Sequence, residues 1–278
     1  MLLGCIALLA LNQVIIKITV GGFAPVFQAG LRSLGVVVLL LIWMWLRRIP
    51  FAVPREAVAW GILSGCFFAH EFLCLYSALD MTTVARASIL FYSMPVWLAL
   101  AGHFLLPGER LTPLRLLGLA VAMGGVVLAI SDRSNEQASL AGDALALLGT
   151  LGWTGIMLTV RATPLSKVSP LIQLLFQVSV SSVILLGAAP LFGEMLRDPQ
   201  PIHWLGLGYQ IVGIGCVAFL LWFWLMTIYR ANAIASFSFL TPVLAVIFGW
   251  LVLGEQIGLS AWIALGLVTA GISLINRP

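Results

Sequence analysis

Apolar runs of about 20 residues, long enough to cross the hydrocarbon core of a bilayer, recur along this chain from end to end. Of its 278 residues, 62% are hydrophobic and 9% charged, and the mean hydropathy is +1.11. A water-soluble globule needs more polar surface than that, so the chain reads as an all-α polytopic membrane protein. Ten transmembrane helices are predicted, at about 1–20, 24–46, 57–79, 82–106, 112–131, 141–161, 168–192, 203–228, 231–253 and 258–275. The first, Met1 to Val20, has no basic leader or small-residue cleavage site and carries Asn12, Gln13 and Lys17, so it counts as a span. The connections are short. None is long enough for a soluble domain, and no Gly-Lys-Ser/Thr phosphate loop occurs, so no ATPase module or subunit is implied.

Basic residues give a net charge of +4, but they stand singly in loops and read as topology determinants, with no nucleic-acid partner. Alternate loops carry Arg47, Arg48 and Arg55; Arg110 and Arg115; Arg161 and Lys167; Arg230; and Arg277. The opposite set carries Arg86, Arg133 and Arg197, and nine against three favours cytoplasmic termini. Trp43, Trp45, Trp60, Trp204, Trp250 and Trp262 fall near span ends, where an interfacial aromatic belt belongs. Cys5, Cys66, Cys74 and Cys216 lie inside apolar runs without a Cys-x-x-Cys pair and read as small core residues, so neither metal nor cofactor is expected.

The chain also contains one block twice. Ser-Met-Pro-Val-Trp around Pro95 runs on to Leu-Pro-Gly-Glu at Glu109, and Leu-Thr-Pro-Val-Leu around Pro242 runs on to Leu-Gly-Glu at Glu255. The prolines are 147 positions apart and the glutamates 146. Pro25 and Gln28 match Pro170 and Gln173 at an offset of 145, Gly125 matches Gly271 at 146, and the Asn12 region falls against Trp153 at about 142. Two halves follow, 1–132 and 141–278. Each has five spans, an odd number, so the second enters the membrane from the opposite side. Inverted halves can exchange conformations around one central site, which is the geometry of alternating access. Pro95, Pro242, Pro25 and Pro170 are the candidate kinks or hinges, because proline removes a backbone donor and crowds the preceding turn.

Two five-helix halves, each with Pro-Val and a small, apolar run to Gly-Glu, resemble the drug/metabolite transporter superfamily, most closely its EamA-type ten-helix branch of amino-acid and metabolite exporters. The resemblance covers nearly the whole chain. It implies a bacterial-type inner-membrane carrier that exports small metabolites by alternating access, without fixing which ones.

Ionisable groups at membrane depth are costly and mark candidate sites. Lys17, Arg32, His70 and Glu71 qualify, with Arg86 as a further candidate. Helical spacing adds Gln13 beside Lys17, Gln28 beside Arg32, the Gln173–Gln177–Ser181 stripe, and Ser88 with Tyr92, and Asn12 joins them as the repeat counterpart of the Trp153 region. Trp153 at mid-span offers a face for a flat ring or an ammonium. Hydrogen-bonding glue between helices and packing against lipid are the competing roles for these groups. Together they suit an amino acid-like zwitterion: Arg32 or Lys17 for a carboxylate, Glu71 for an ammonium, Gln173 and Gln177 for either end, and Trp153 with Tyr92 for an apolar or aromatic side chain. The alternatives are export of unrelated drugs or metabolites and a membrane-embedded enzyme. His70-Glu71 lacks the second histidine that a zinc hydrolase needs, and no serine has the flanking glycines of a nucleophile elbow.

Overall fold

The computed structural model describes residues 2–106, 111–132, 139–218, 221 and 240–276. Among these the secondary structure is helical apart from one isolated bridge between Phe23 and Leu196. The helices are α1 (Leu2–Thr19), α2 (Pro25–Arg47), α3 (Arg55–Met81), α4 (Val84–Phe91), α5 (Met94–Leu105), α6 (Pro113–Ser131), α7 (Leu140–Ala162), α8 (Pro170–Ala188), α9 (Pro201–Gly208), α10 (Leu240–Leu253) and α11 (Leu259–Ile275). Among the described residues, seven spans are long and apolar enough to cross a membrane, with α4 and α5 counted as one. The apolar helices Leu3–Thr19, Leu240–Leu253 and Leu259–Ile275 are shorter. Glu109, Arg110, Arg133, Trp222, Trp224, Arg230 and Arg277 lie outside the described residues, as does the 231–239 part of the ninth expected span.

Local chemistry sets the helix ends. Pro25 and Pro170 each occupy the first turn of their helix, where the missing N–H has no intrahelical partner to lose and the fixed φ suits the helix. They start α2 and α8 and do not bend them, contrary to the expected kinks. The expected fourth span is instead two helices, α4 and α5, separated at Tyr92 and Ser93, with Pro95 in the first turn of α5. Pro242 is the third residue of α10 and is buried. Beyond α9, residues Tyr209–Ala218 continue as a π-helix.

α4 packs on α10, and helices at equivalent places in the two halves touch one another: α2 with α8 and α6 with α11. On the first pair, Ser181 Oγ donates to Ser33 Oγ at 3.0 Å. On the last, the backbones come so close that a Cβ on Gly271 would stand 2.5 Å from Ala122 N, and one on Gly118 2.7 Å from Gly271 O. Small residues permit this approach where lipid gives no hydrophobic drive for helices to associate. Gly124 and Gly266, on the same two helices, face open space.

Arg86 sits inside α4, within the span expected at 82–106, although it also entered the count of loop charges. Its Nε and Nη2 donate to the two carboxylate oxygens of Asp143 on α7 at 3.1 and 2.6 Å, and Nη1 donates to the Asp132 carbonyl at 2.6 Å. Both side chains are almost fully buried, so removing one leaves an uncompensated charge.

Two outcomes follow. Gly271→Val should cost about 1–3 kcal/mol by overpacking and lower the melting temperature in detergent, whereas Gly266→Val should leave it unchanged. Asp143→Ala should destabilise by about 3–5 kcal/mol, and the Arg86→Met, Asp143→Leu double variant by much less, as read by fluorescence-detected thermal unfolding.

Candidate functional site

Arg32, Glu71, Gln13 and Ser88 lie at comparable depth from one end of the bundle. At 1.5 Å per residue they stand about 10, 15, 9 and 6 Å from Pro25, Met81, Thr19 and Val84, the ends of α2, α3, α1 and α4 on that side. Ser88 Oγ donates to Gln13 Oε1 at 2.7 Å, and the Tyr92 side chain is hydrogen-bonded to the same Gln13. Glu71 lies within electrostatic reach of Tyr92 and of Arg32. The Arg32 guanidinium stacks 4.4 Å from the Phe72 ring centroid. Arg32, Glu71 and Tyr92 are thus brought together, around a bonded Gln13–Ser88 pair.

The charged atoms in this cluster are not satisfied. Arg32 Nε and Nη1 and Glu71 Oε2 are buried without a hydrogen-bond partner, as are Asn12 Oδ1 and Gln28 Oε1. Arg32 is 7% exposed and Glu71 6%, so bulk solvent does not substitute. A buried charged atom left open costs several kcal/mol unless water or a ligand reaches it. Chemically, the free guanidinium donors take an anionic oxygen and the free carboxylate oxygen takes a cationic nitrogen.

A second network underlies the first. Gln210, at the start of the π-helix, accepts on Oε1 from Tyr76 Oη at 2.8 Å and from Gln28 Nε2 at 3.2 Å, and donates to Thr19 Oγ1 at 3.2 Å. It joins α1, α2, α3 and the π-helix, and Tyr76 in turn lies within electrostatic reach of Arg32. π-helical turns concentrate at functional sites. Neither Gln210 nor Tyr76 stood out in the sequence, although a glutamine in the apolar run Tyr209–Ala218 was a visible signal.

The other expected site residues lie elsewhere. His70 is exposed, and its Nε2 sits 3.1 Å from the Leu148 carbonyl of α7, on the outside of the bundle. Adjacent residues point about 100° apart on a helix, so His70 and Glu71 cannot share a pocket. Lys17 donates to the carbonyls of Leu79, at 2.9 Å, and Thr82, at the end of α3. Gln173 Nε2 is spent on the Leu165 and Val168 carbonyls of the preceding loop, at 3.0 and 2.8 Å. Gln177 Nε2 donates to Ser64 Oγ at 3.2 Å, joining α8 to α3. Trp153 is half-buried on α7, beside Gly152, where a Cβ would stand 2.8 Å from Glu71 N. An open groove of about 610 Å³ beside Met44, Trp45, Arg48 and Ile49 lies at the far end of α2, about 24 Å along the helix from Arg32, and is no part of this cluster.

Comparison with known proteins agrees with this architecture. YoaV of Bacillus subtilis, named an uncharacterized transporter, is 23% identical over 266 residues, covering 93% of this chain and 89% of its own length. YedA of Escherichia coli, named an uncharacterized inner membrane transporter, is 24% identical over 275 residues, covering 94% of this chain and 85% of its own length. A crystal structure aligns with a TM-score of 0.67 over 99% of this chain and 95% of that one, at 19% identity, which establishes likeness of fold alone. The model of the EamA-like transporter family matches residues 1–131 and 140–277, and the chain belongs to that family of membrane transporters.

Proposed function

We propose that this chain exports small zwitterionic metabolites of the amino-acid type by alternating access around the Arg32–Glu71 cluster, and that it is a carrier and not an enzyme. The observation that carries this reading is the set of three buried atoms without a hydrogen-bond partner, Arg32 Nε and Nη1 and Glu71 Oε2, on two charged residues of neighbouring helices within electrostatic reach of each other. Their signs match the two ends of an α-amino acid. The carboxylate docks on Arg32, whose guanidinium Phe72 supports from below, and the ammonium docks on Glu71. Tyr92 and Phe72 are the rings beside the cluster available to an apolar or aromatic side chain. The two halves, of opposite direction, open the site to one face of the membrane and then the other. Both termini lie in the cytoplasm, on the balance of Lys and Arg between alternate loops, and the membrane is the inner membrane, as for the relative YedA.

The test is uptake of labelled phenylalanine by proteoliposomes. Arg32→Ala and Glu71→Ala should each lower the rate about tenfold or more, the loss of one charge-assisted hydrogen bond, with the yield of folded protein unchanged. His70→Ala should retain the parent rate. An excess of phenethylamine, which lacks the carboxylate, should compete poorly. Equal competition by the amine, or parent rates in both charge variants, would contradict the assignment.

A further inference from the structure

Glu255 has no part in the cluster above, yet it is 5% exposed and fully engaged. It follows Gly254, whose φ of +66° turns the chain out of α10. Its Oε1 accepts the Val84 N–H at 2.7 Å and its Oε2 the Ala85 N–H at 3.1 Å. Thr83 supplies the rest of that helix end: its Oγ1 accepts the Arg86 N–H at 3.2 Å and its carbonyl the Ala87 N–H at 2.9 Å. The N–H groups that open α4 are therefore all satisfied, two of them by a residue from the other half of the chain. Room for the carboxylate is made by Gly249, where a Cβ would stand 2.9 Å from Oε2.

Lys17 completes the arrangement. Its ammonium lies on the last carbonyls of α3 and within electrostatic reach of Glu255. A cation thus sits on the negative end of α3 and an anion on the positive end of α4, across the break between them, and each complements a helix dipole. The helix so held is an eight-residue rod with a break at either end, Thr82–Thr83 and Tyr92–Ser93. That rod carries Ser88 and Tyr92, which reach Gln13 in the polar cluster.

We propose that Glu255 is a positioning residue for transport. It holds α4 so that this end of the bundle is closed over the Arg32–Glu71 cluster, and the site opens at this end only when the two N–H bonds to Glu255 are exchanged for others. Other contacts between the halves at the same end join side chains only, Arg197 with Asp80 at 2.8 Å on the surface and the buried Arg86 with Asp143, whereas Glu255 takes the backbone donors that open α4. The proposal rests on the carrier reading, but its test needs no substrate.

The test is sidedness of chemical labelling. Tyr92→Cys is introduced into a chain whose Cys5, Cys66, Cys74 and Cys216 are replaced by alanine, and a membrane-impermeant maleimide is applied to sealed vesicles of each orientation. Two unsatisfied buried N–H groups cost enough that Glu255→Ala should raise labelling from the side where α4 begins by about tenfold or more. Thr83→Ala, which removes an ordinary cap from the same helix end, should lower thermal stability without that rise. Glu255→Gln, which keeps a single carbonyl acceptor, should fall between parent and Glu255→Ala, and it carries the test alone if Glu255→Ala is not recovered as folded protein. Unchanged labelling in the recovered Glu255 variants, or an equal rise in Thr83→Ala, overturns the proposal. Absence of amino-acid flux in the same vesicles, with the labelling result intact, would count against the carrier reading and leave the closure standing.

Discussion

The free energy of a charged or hydrogen-bonding group inside lipid decides most of what this molecule looks like. No water is available there to satisfy backbone N–H and carbonyl groups, so the chain is helical wherever it crosses, and helix ends in the interior must find partners. Arg86 finds Asp143, Lys17 finds the last carbonyls of α3, and the start of α4 finds Glu255 and Thr83. Each of these is a complete set. Arg32 and Glu71 are not, and the contrast between satisfied and unsatisfied charge separates the staples of the fold from the groups free to take a ligand.

The same constraint ties breaks in the helices to the motion that a carrier needs. A continuous fourth span would hold its backbone bonds internally and ask nothing of the second half. Divided at Tyr92 and Ser93, and beginning at a junction with α3, it exposes donors that only a partner can satisfy. That partner is the glutamate that follows α10, its equivalent in the other half. The halves also meet through equivalent helices, with Ser33 on Ser181 and Gly118 on Gly271.

The spans and the internal repeat are legible in the sequence because both are carried by long patterns: runs of apolar residues and an offset that stays between 142 and 147. Arg32 and Glu71 are legible too, since charge in an apolar run is rare enough to stand out by residue type alone. Direction is not. His70 and Glu71 are neighbours in the chain but face different surroundings, and Gly124 and Gly125 diverge in the same way, one to open space and one to α11. Glutamine also hides its role: Gln173 closes a local loop while Gln210 joins four elements, and which neighbours come within reach is settled by packing and not by spacing. The prolines show the reverse difficulty. The ring that kinks a helix from inside is favourable at its first turn, so Pro25 and Pro170 required knowledge of where the helices begin.

Counterflow tests the central claim most directly. Proteoliposomes loaded with unlabelled phenylalanine and diluted into a trace of labelled phenylalanine should accumulate label transiently above equilibrium, because unlabelled substrate inside competes with the label for the one alternately exposed site and slows its exit. Label that only equilibrates, at a rate indifferent to what the vesicles contain, would contradict a shared site reached in turn from the two sides.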